Sequence, residues 1–283
     1  MWSDIAYLPH RRFLSILQPL ARLLRRPLFT TVEGLLDGPN IASGVAVFGS
    51  RATLLESYRG FSACYAITRA VAEYNRQHLG ISTDPDHLLQ LGVDHAVHSK
   101  PTDPKRGLQS VLFVGRLIER KGIFEVIELA RRRPGLSVHI AGDGEAVQMV
   151  AAAARSLPNL RVHGLLPQNQ IADLMSDVDL LLLPSRSEGF PRVVLEAACA
   201  GVPSILYPDY GAADWLQDGT SGFIVNDVDD LITRIDALTA NPGELTRAKR
   251  RALELAARFD WRVIIKDWER EIERMLSPRH ASG

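Results

Sequence analysis

Five short apolar runs, at residues 110–114, 136–141, 160–163, 178–183 and 204–207, are separated by segments of helical period at 122–133, 145–156, 168–175 and 191–200. Strands that alternate with helices in this way belong to a parallel sheet, because a parallel crossover needs a dozen or more residues and places a helix on the sheet face. The fold class is therefore α/β, and this half of the chain should form a doubly wound sheet. In such a sheet ligands bind outside the carboxyl ends of the strands, which directs attention to the loops that follow each apolar run.

The preceding stretch shows the same alternation less regularly. A strand is expected at 27–32, then a Gly/Pro/Asn-rich loop to 40, a helix near 51–58, a strand at 64–68, a helix at 69–79, and a strand at 87–91 leading into Gly92-Val93-Asp94. Pro101, Asp103 and Pro104 mark 101–107 as a linker. The expected organisation is an N-terminal domain over 1–100, a C-terminal domain over 108–258, and a final helical segment over 259–283.

With 283 residues, 46% of them hydrophobic, the chain can bury a substantial core. Thirty-three basic and 33 acidic residues leave a formal net charge of zero, which argues against a nucleic-acid partner. The only cysteines are Cys64 and Cys199, and Cys199 lies in an apolar helix, so buried thiols in a reducing, cytoplasmic setting are expected rather than a disulfide framework. No apolar run approaches the roughly 18–20 residues of a membrane span, and the N-terminus carries no secretory pattern. Between 10 and 26, however, Phe13, Ile16, Leu17, Leu20, Leu23 and Leu24 recur at helical spacing among Arg11, Arg12, Arg22, Arg25 and Arg26, with Pro19 as a kink. Such a helix could make peripheral contact with an anionic membrane surface, although a core-packed helix with solvated arginines is the favoured reading.

The residues with chemical potential cluster after the C-terminal strands. Gly115-Arg116 follows the first, and Lys121-Gly122 opens the next helix; an Arg and a Lys beside a helix N-terminus can cradle a diphosphate. Each cation at 4 Å is worth about 4 kcal/mol of Coulomb attraction at an effective dielectric of 20, before desolvation. Gly142-Asp143-Gly144 permits close backbone approach to a ligand but lacks the third glycine of a dinucleotide fingerprint, so a bare turn is an equal reading. Glu188-Gly189-Phe190-Pro191 supplies an acid, a hinge and a helix start, and Glu196 lies further along the same helix. Carboxylates there can accept from sugar or ribose hydroxyls, although either glutamate alone reads as a cap or a surface residue. His95 and His98 could share one helix face, but no third metal ligand neighbours them.

Taken in order, Gly115-Arg116 with Lys121-Gly122, Gly142-x-Gly144, Glu188-Gly-Phe-Pro followed by Glu196-Ala, and Gly201-x-Pro203 resemble the donor-binding half of retaining GT-B glycosyltransferases of glycosyltransferase family 4. The resemblance covers about 110–225; Ala66-Ile67-Thr68 and Gly92-Val93-Asp94 are similar to the end of that family's acceptor domain, and 259–268 to its returning helix. It implies two Rossmann-like domains with parallel sheets, the N-terminal one shortened because the chain starts in what looks like the middle of that domain. It implies a UDP- or GDP-sugar donor, no metal and no further cofactor. Arg116 and Lys121 would stabilise the departing diphosphate, Glu188 would hold the donor sugar's hydroxyls, Phe190 and Pro191 would lie along sugar and phosphates, and Glu196 would grip the ribose, with Gly115, Gly142, Gly144 and Gly189 lining the site. Where the family often has a catalytic histidine after a Thr-Val strand end, Thr31-Val32 here precedes Glu33, a substitute polar partner for the donor sugar.

The expected function is transfer of a sugar, with retention of anomeric configuration, from a nucleotide-diphosphate sugar to a glycan or lipid-linked acceptor in surface polysaccharide synthesis. Two alternatives stay open: a truncated nucleotide-sugar-binding module without independent catalysis, and a nucleotide-sugar epimerase.

Overall fold

A computed structural model describes residues 4–8, 14–83, 87–95 and 107–277. Contacts divide the chain into two compact units, one made of 1–91, 188–190 and 262–283, the other of 92–187 and 191–261. The linker expected at 101–107 lies outside the described residues except for Gly107, as does His98.

The first unit holds a three-stranded parallel sheet of β1 (Ala6–Tyr7), β2 (Leu28–Val32) and β3 (Ala63–Ala66), in that order. Every residue of β2 is buried, as expected of a central parallel strand covered on both faces. Its helices are α1 (Leu14–Leu23), α2 (Gly38–Phe48), α3 (Arg51–Arg59) and α4 (Arg69–Leu79). Thr68 caps α4 by accepting from the Val71 N–H at 3.2 Å, and Gly80 ends it in the left-handed region. One core cluster joins Phe29, Tyr65, Leu89 and Met275, with Trp268 and Ile272 packed against it; Trp268 also donates its indole N–H to the Gln90 carbonyl at 3.0 Å. Met275, Trp268 and Ile272 belong to α11 (Trp261–Leu276), whose residues from 262 onward therefore supply core to this unit.

Two expectations for this half are corrected. Residues 87–91 form no strand: Leu89 is fully buried and donates to the Ala66 carbonyl at 3.1 Å, but the surrounding backbone joins no ladder. The loop expected up to 40 instead ends at Asp37, which caps α2 through the Asn40 N–H at 3.2 Å. Helix α2 escapes a propensity argument because it opens on Gly38-Pro39 and carries Gly44 in its interior, where glycine costs about 1 kcal/mol relative to Ala. Gly44 is needed there, since a Cβ would sit 2.6 Å from a methyl of Leu54 in α3. In α1 the apolar stripe divides. Leu14 is buried, whereas Ile16, Leu20 and Leu23, and Leu24 in the turn that follows, are exposed beside Arg22, Arg25 and Arg26.

The second unit is built on a six-stranded sheet of β4 (Ser110–Val114), β5 (Ser137–Ala141), β6 (Leu160–Gly164), β7 (Leu180–Leu183), β8 (Ser204–Leu206) and β9 (Phe223–Ile224). The strands run β6-β5-β4-β7-β8-β9, every registered pair parallel. The connecting helices are α5 (Ile123–Arg132), α6 (Val147–Ser156), α7 (Gln168–Ser176), α8 (Arg192–Cys199), α9 (Val228–Ala240) and α10 (Pro242–Arg258). Strand β7 starts two residues later than its apolar run because Asp179 precedes it, fully buried. Asp179 Oδ2 accepts from the N–H groups of Gln109 and Ser110, each at 3.0 Å, and Oδ1 accepts from Lys249 Nζ of α10 at 3.0 Å. Lys249 is 1% exposed, so this is a buried ion pair at the amino end of the sheet.

Candidate active site

Chain order and strand order diverge at the β4–β7 neighbours: β5 and β6 extend the sheet on one side of β4, and β7 onward extend it on the other. A crevice opens at the carboxyl ends of two such strands because their loops leave in opposite directions. Both loops carry functional candidates.

After β4, Gly115 donates to the Ala141 carbonyl at 3.0 Å and Leu117 to the Asp143 carbonyl at 2.9 Å, while the Leu117 carbonyl accepts from Ala146 N–H at 2.8 Å. Arg116 stands between these two anchored residues with its side chain exposed, so its stem is fixed while the guanidinium faces solvent. A 3-10 turn, Glu119–Lys121, then leads to Gly122 at φ +78° and α5. Lys121 is half-buried directly before the helix. A Cβ on Gly122 would overlap the carbonyl and ring of Pro184, which brings the β4 and β7 loops together. They are also tied by the Arg186 N–H donating to the Arg120 carbonyl at 2.9 Å, and by buried Ser185, whose Oγ lies 3.2 Å from the carbonyls of Arg120 and Ser187.

Gly142 and Gly144 allow a close approach of a different kind from the one read in the sequence. Gly142 has φ +144° and a Cβ there would overlap the Gly115 carbonyl; Gly144 has φ +158° and its Cβ would lie 2.7 Å from the Leu117 carbonyl. The space they leave is filled by the Arg116 loop, so the pair holds the cation in place through the backbone. Gly142→Ala should therefore destabilise the fold by about 3 kcal/mol, from overpacking and the left-handed backbone together. Thermal unfolding checks this, and a melting temperature equal to the parent's would contradict it.

Pro191 caps α8 without a side-chain hydrogen bond, and Glu196 lies one turn into that helix, half-buried. Nearby Cys199 is buried, which pushes its thiol up to about 12; the carboxylates of Asp260, Glu196 and Asp94 add to the shift. It is a neutral thiol at physiological pH. Arg186 was not among the sequence candidates. Its guanidinium lies 4.2 Å from the Tyr207 ring centroid and pairs with Asp209 at 3.2 Å, so it braces the β7 and β8 loops. An Arg beside a serine-rich loop gives no sequence signal of that partnership.

Glu33, Glu188, Gly189 and Phe190 belong to the first unit. Glu33 directly follows β2 with its side chain exposed, and its Oε1 accepts from Thr31 Oγ1 at 3.1 Å. A Cβ on Gly189 would overlap the Glu33 carbonyl, so the 188–190 segment is seated on Glu33 and Gly34. The structure thus gathers the candidates into two sets: Arg116, Lys121, the paired glycines, Pro191 and Glu196 in one unit, and Glu33 with Glu188–Phe190 in the other.

A parallel sheet in this strand order, with cations on the loops at its switch point, defines a doubly wound ligand-binding unit. The family model for glycosyl transferases group 1 matches residues 95–255, and the chain belongs to that family. Glycogen synthase of Mycobacterium tuberculosis (strain H37Rv) is 31% identical over 171 residues, which are 57% of this chain and 41% of the synthase. D-inositol 3-phosphate glycosyltransferase of Mycolicibacterium smegmatis is 33% identical over 195 residues, 65% of this chain and 43% of that protein. The matched stretch therefore spans about two fifths of these relatives' length. Among solved structures, sucrose-phosphate synthase from Thermosynechococcus elongatus superposes with a TM-score of 0.80 at 17% identity, covering 96% of this chain and 73% of that one. Anabaena HepE, in complex with UDP and glucose, gives 0.78 at 19%, covering 97% and 78%. These structural likenesses identify the fold, an α/β architecture with parallel sheets that matches GT-B glycosyltransferase structures.

Proposed function

We propose that the chain is a retaining glycosyltransferase of family 4, moving a sugar from a UDP- or GDP-sugar to a glycan or lipid-linked acceptor in surface polysaccharide synthesis. The observation that carries this reading is the backbone-locked Arg116 loop, tied to the β7 loop at the switch point beside Lys121 and the α5 N-terminus. That arrangement supplies two cations and helix N–H groups where charge develops as a nucleoside diphosphate leaves. The bond from the anomeric carbon to the phosphate oxygen breaks, the acceptor oxygen bonds that carbon on the face just vacated, and the acceptor's proton passes to the departing phosphate. Glu196 holds the ribose diol and Glu188 the sugar hydroxyls, with Phe190 and Pro191 alongside; neither glutamate serves as a hydrolase-type nucleophile, and no metal is required.

A cytoplasmic protein at the inner membrane face fits a lipid-linked acceptor, with the exposed Ile16, Leu20 and Leu23 of α1 and Leu24 just after it entering the interface and Arg22, Arg25 and Arg26 meeting anionic headgroups.

Calorimetry with UDP and GDP, paired with release of nucleotide from UDP-glucose and GDP-mannose, tests the assignment. Glu196→Ala should weaken nucleotide binding by about 1–3 kcal/mol, the cost of leaving buried hydroxyl partners unmatched. Binding without turnover would make the chain a donor-binding module, and a sugar product still carrying its nucleotide would make it an epimerase.

A further inference from the structure

The loop after β2 is held more firmly than an exposed loop requires. Asn75 of α4, fully buried, clamps it from below: its Oδ1 accepts from the Leu36 N–H and its Nδ2 donates to the Gly34 carbonyl, both at 2.9 Å. Asn40 Nδ2 adds a bond to the Leu35 carbonyl at 2.6 Å. The side chain of Glu33 is fixed separately. Thr31 Oγ1 lies 2.8 Å from Tyr7 Oη and 3.1 Å from Glu33 Oε1. A carboxylate only accepts, so the threonine proton points at Glu33, and Thr31 accepts in turn from the tyrosine hydroxyl. Burial raises the Tyr7 hydroxyl above its ordinary value and the Glu33 charge adds to the rise, so the phenol keeps its proton. The Tyr7 ring is itself set edge-on to Trp268, centroids 5.3 Å apart.

A relay of this kind contributes little to stability when it ends on an exposed carboxylate, because such a group gains little over its bonds with water. Its effect is to aim one. The aimed group sits at the carboxyl end of a buried parallel strand, with the Glu188–Phe190 segment seated on the same residue's carbonyl. We infer that Tyr7 and Thr31 are positioning residues that orient Glu33 toward a hydroxyl of the transferred sugar, with Asn75 holding the loop that carries it. This rests on the glycosyltransferase reading and names the residues that would make it efficient.

The test compares nucleotide release from UDP-glucose and GDP-mannose by the parent, Glu33→Gln, Thr31→Val, Thr31→Ser, Tyr7→Phe and the double variant Glu33→Gln/Thr31→Val. Thr31→Val should lower kcat about tenfold, in line with the loss expected from a slightly misplaced group, with donor KM within about twofold of the parent. Thr31→Ser should restore most of the loss, and the double variant should be no slower than Glu33→Gln, because Thr31 acts only through Glu33. Parent-like kcat in Thr31→Val, or multiplying losses in the double variant, overturns the inference while leaving the glycosyltransferase reading intact. If Thr31→Val does not fold, Tyr7→Phe decides: a kcat loss at unchanged melting temperature supports the relay, and parent-like kcat removes it. A parent that releases nucleotide from neither donor sinks the functional reading and this inference together.

Discussion

Lys121→Ala is expected to lower sugar transfer by about two to three orders of magnitude, the loss typical of removing one preorganised group from a developing charge. The effect should fall on kcat. The diphosphate is already anionic when bound, but it gains charge only as the bond to the sugar breaks, and interactions strengthened at that moment raise turnover rather than affinity. Arg116→Ala should act in the same direction, and Arg116→Lys should recover only part of the activity, since an ammonium lacks the planar fork that grips two phosphate oxygens. Because Arg116 lies between the anchored N–H groups of Gly115 and Leu117, its replacement should leave the melting temperature near the parent's. Steady-state kinetics beside a melting curve separates the two effects. A Lys121→Ala enzyme turning over at the parent rate would end the diphosphate assignment.

The second large effect concerns the other end of the same sheet. Lys249→Met should destabilise the protein by about 3–5 kcal/mol, because it strands the Asp179 carboxylate in the core. The melting temperature should fall by on the order of 10 °C for a chain of this size. Adding Asp179→Asn to Lys249→Met should recover part of the loss: the charge is gone, and the amide oxygen can still accept from the Ser110 or Gln109 N–H. Urea unfolding of the three variants is the measurement. If Lys249→Met melts within about 2 °C of the parent, the pair is not a significant anchor.

Local signals carried much of this architecture into the sequence. Leu180–Leu183 are four consecutive buried leucines, and α4 begins and ends where Thr68 and Gly80 place it. The Arg116 and Lys121 positions followed from one strand end and one helix start. Residues 87–91 misled because apolarity reports burial and not hydrogen bonding: Leu89 is buried, yet its neighbours have no strand partner. Helix α9 had a readable cap in Asp227, which accepts from the Asp230 N–H at 2.9 Å, and an apolar stripe of Leu231, Ile232, Ile235 and Leu238, but it drew no expectation. Other features depend on contacts distant in sequence. That Gly142 and Gly144 yield to the Arg116 loop, that 188–190 seats on Glu33, and that Tyr7 in a two-residue strand reaches Thr31 are all settled by tertiary packing, which no spacing rule records.

The strand order also bears on how the second unit comes together during synthesis. Strands β4 to β6 emerge first and can pair among themselves, but β4 then has one side open, although it becomes an interior strand of the finished sheet. Val111 and Leu112 have no register partners on that side until Leu180 and Leu181 leave the ribosome. Asp179 arrives with them as a carboxylate whose counter-charge is still 70 residues away. Strand β7 in turn keeps one side open until β8 follows, so an exposed edge and the uncompensated charge coincide in time, the situation in which nascent chains associate with one another or with chaperones. Only when α10 has been made can the interior of this unit become electrically neutral and close.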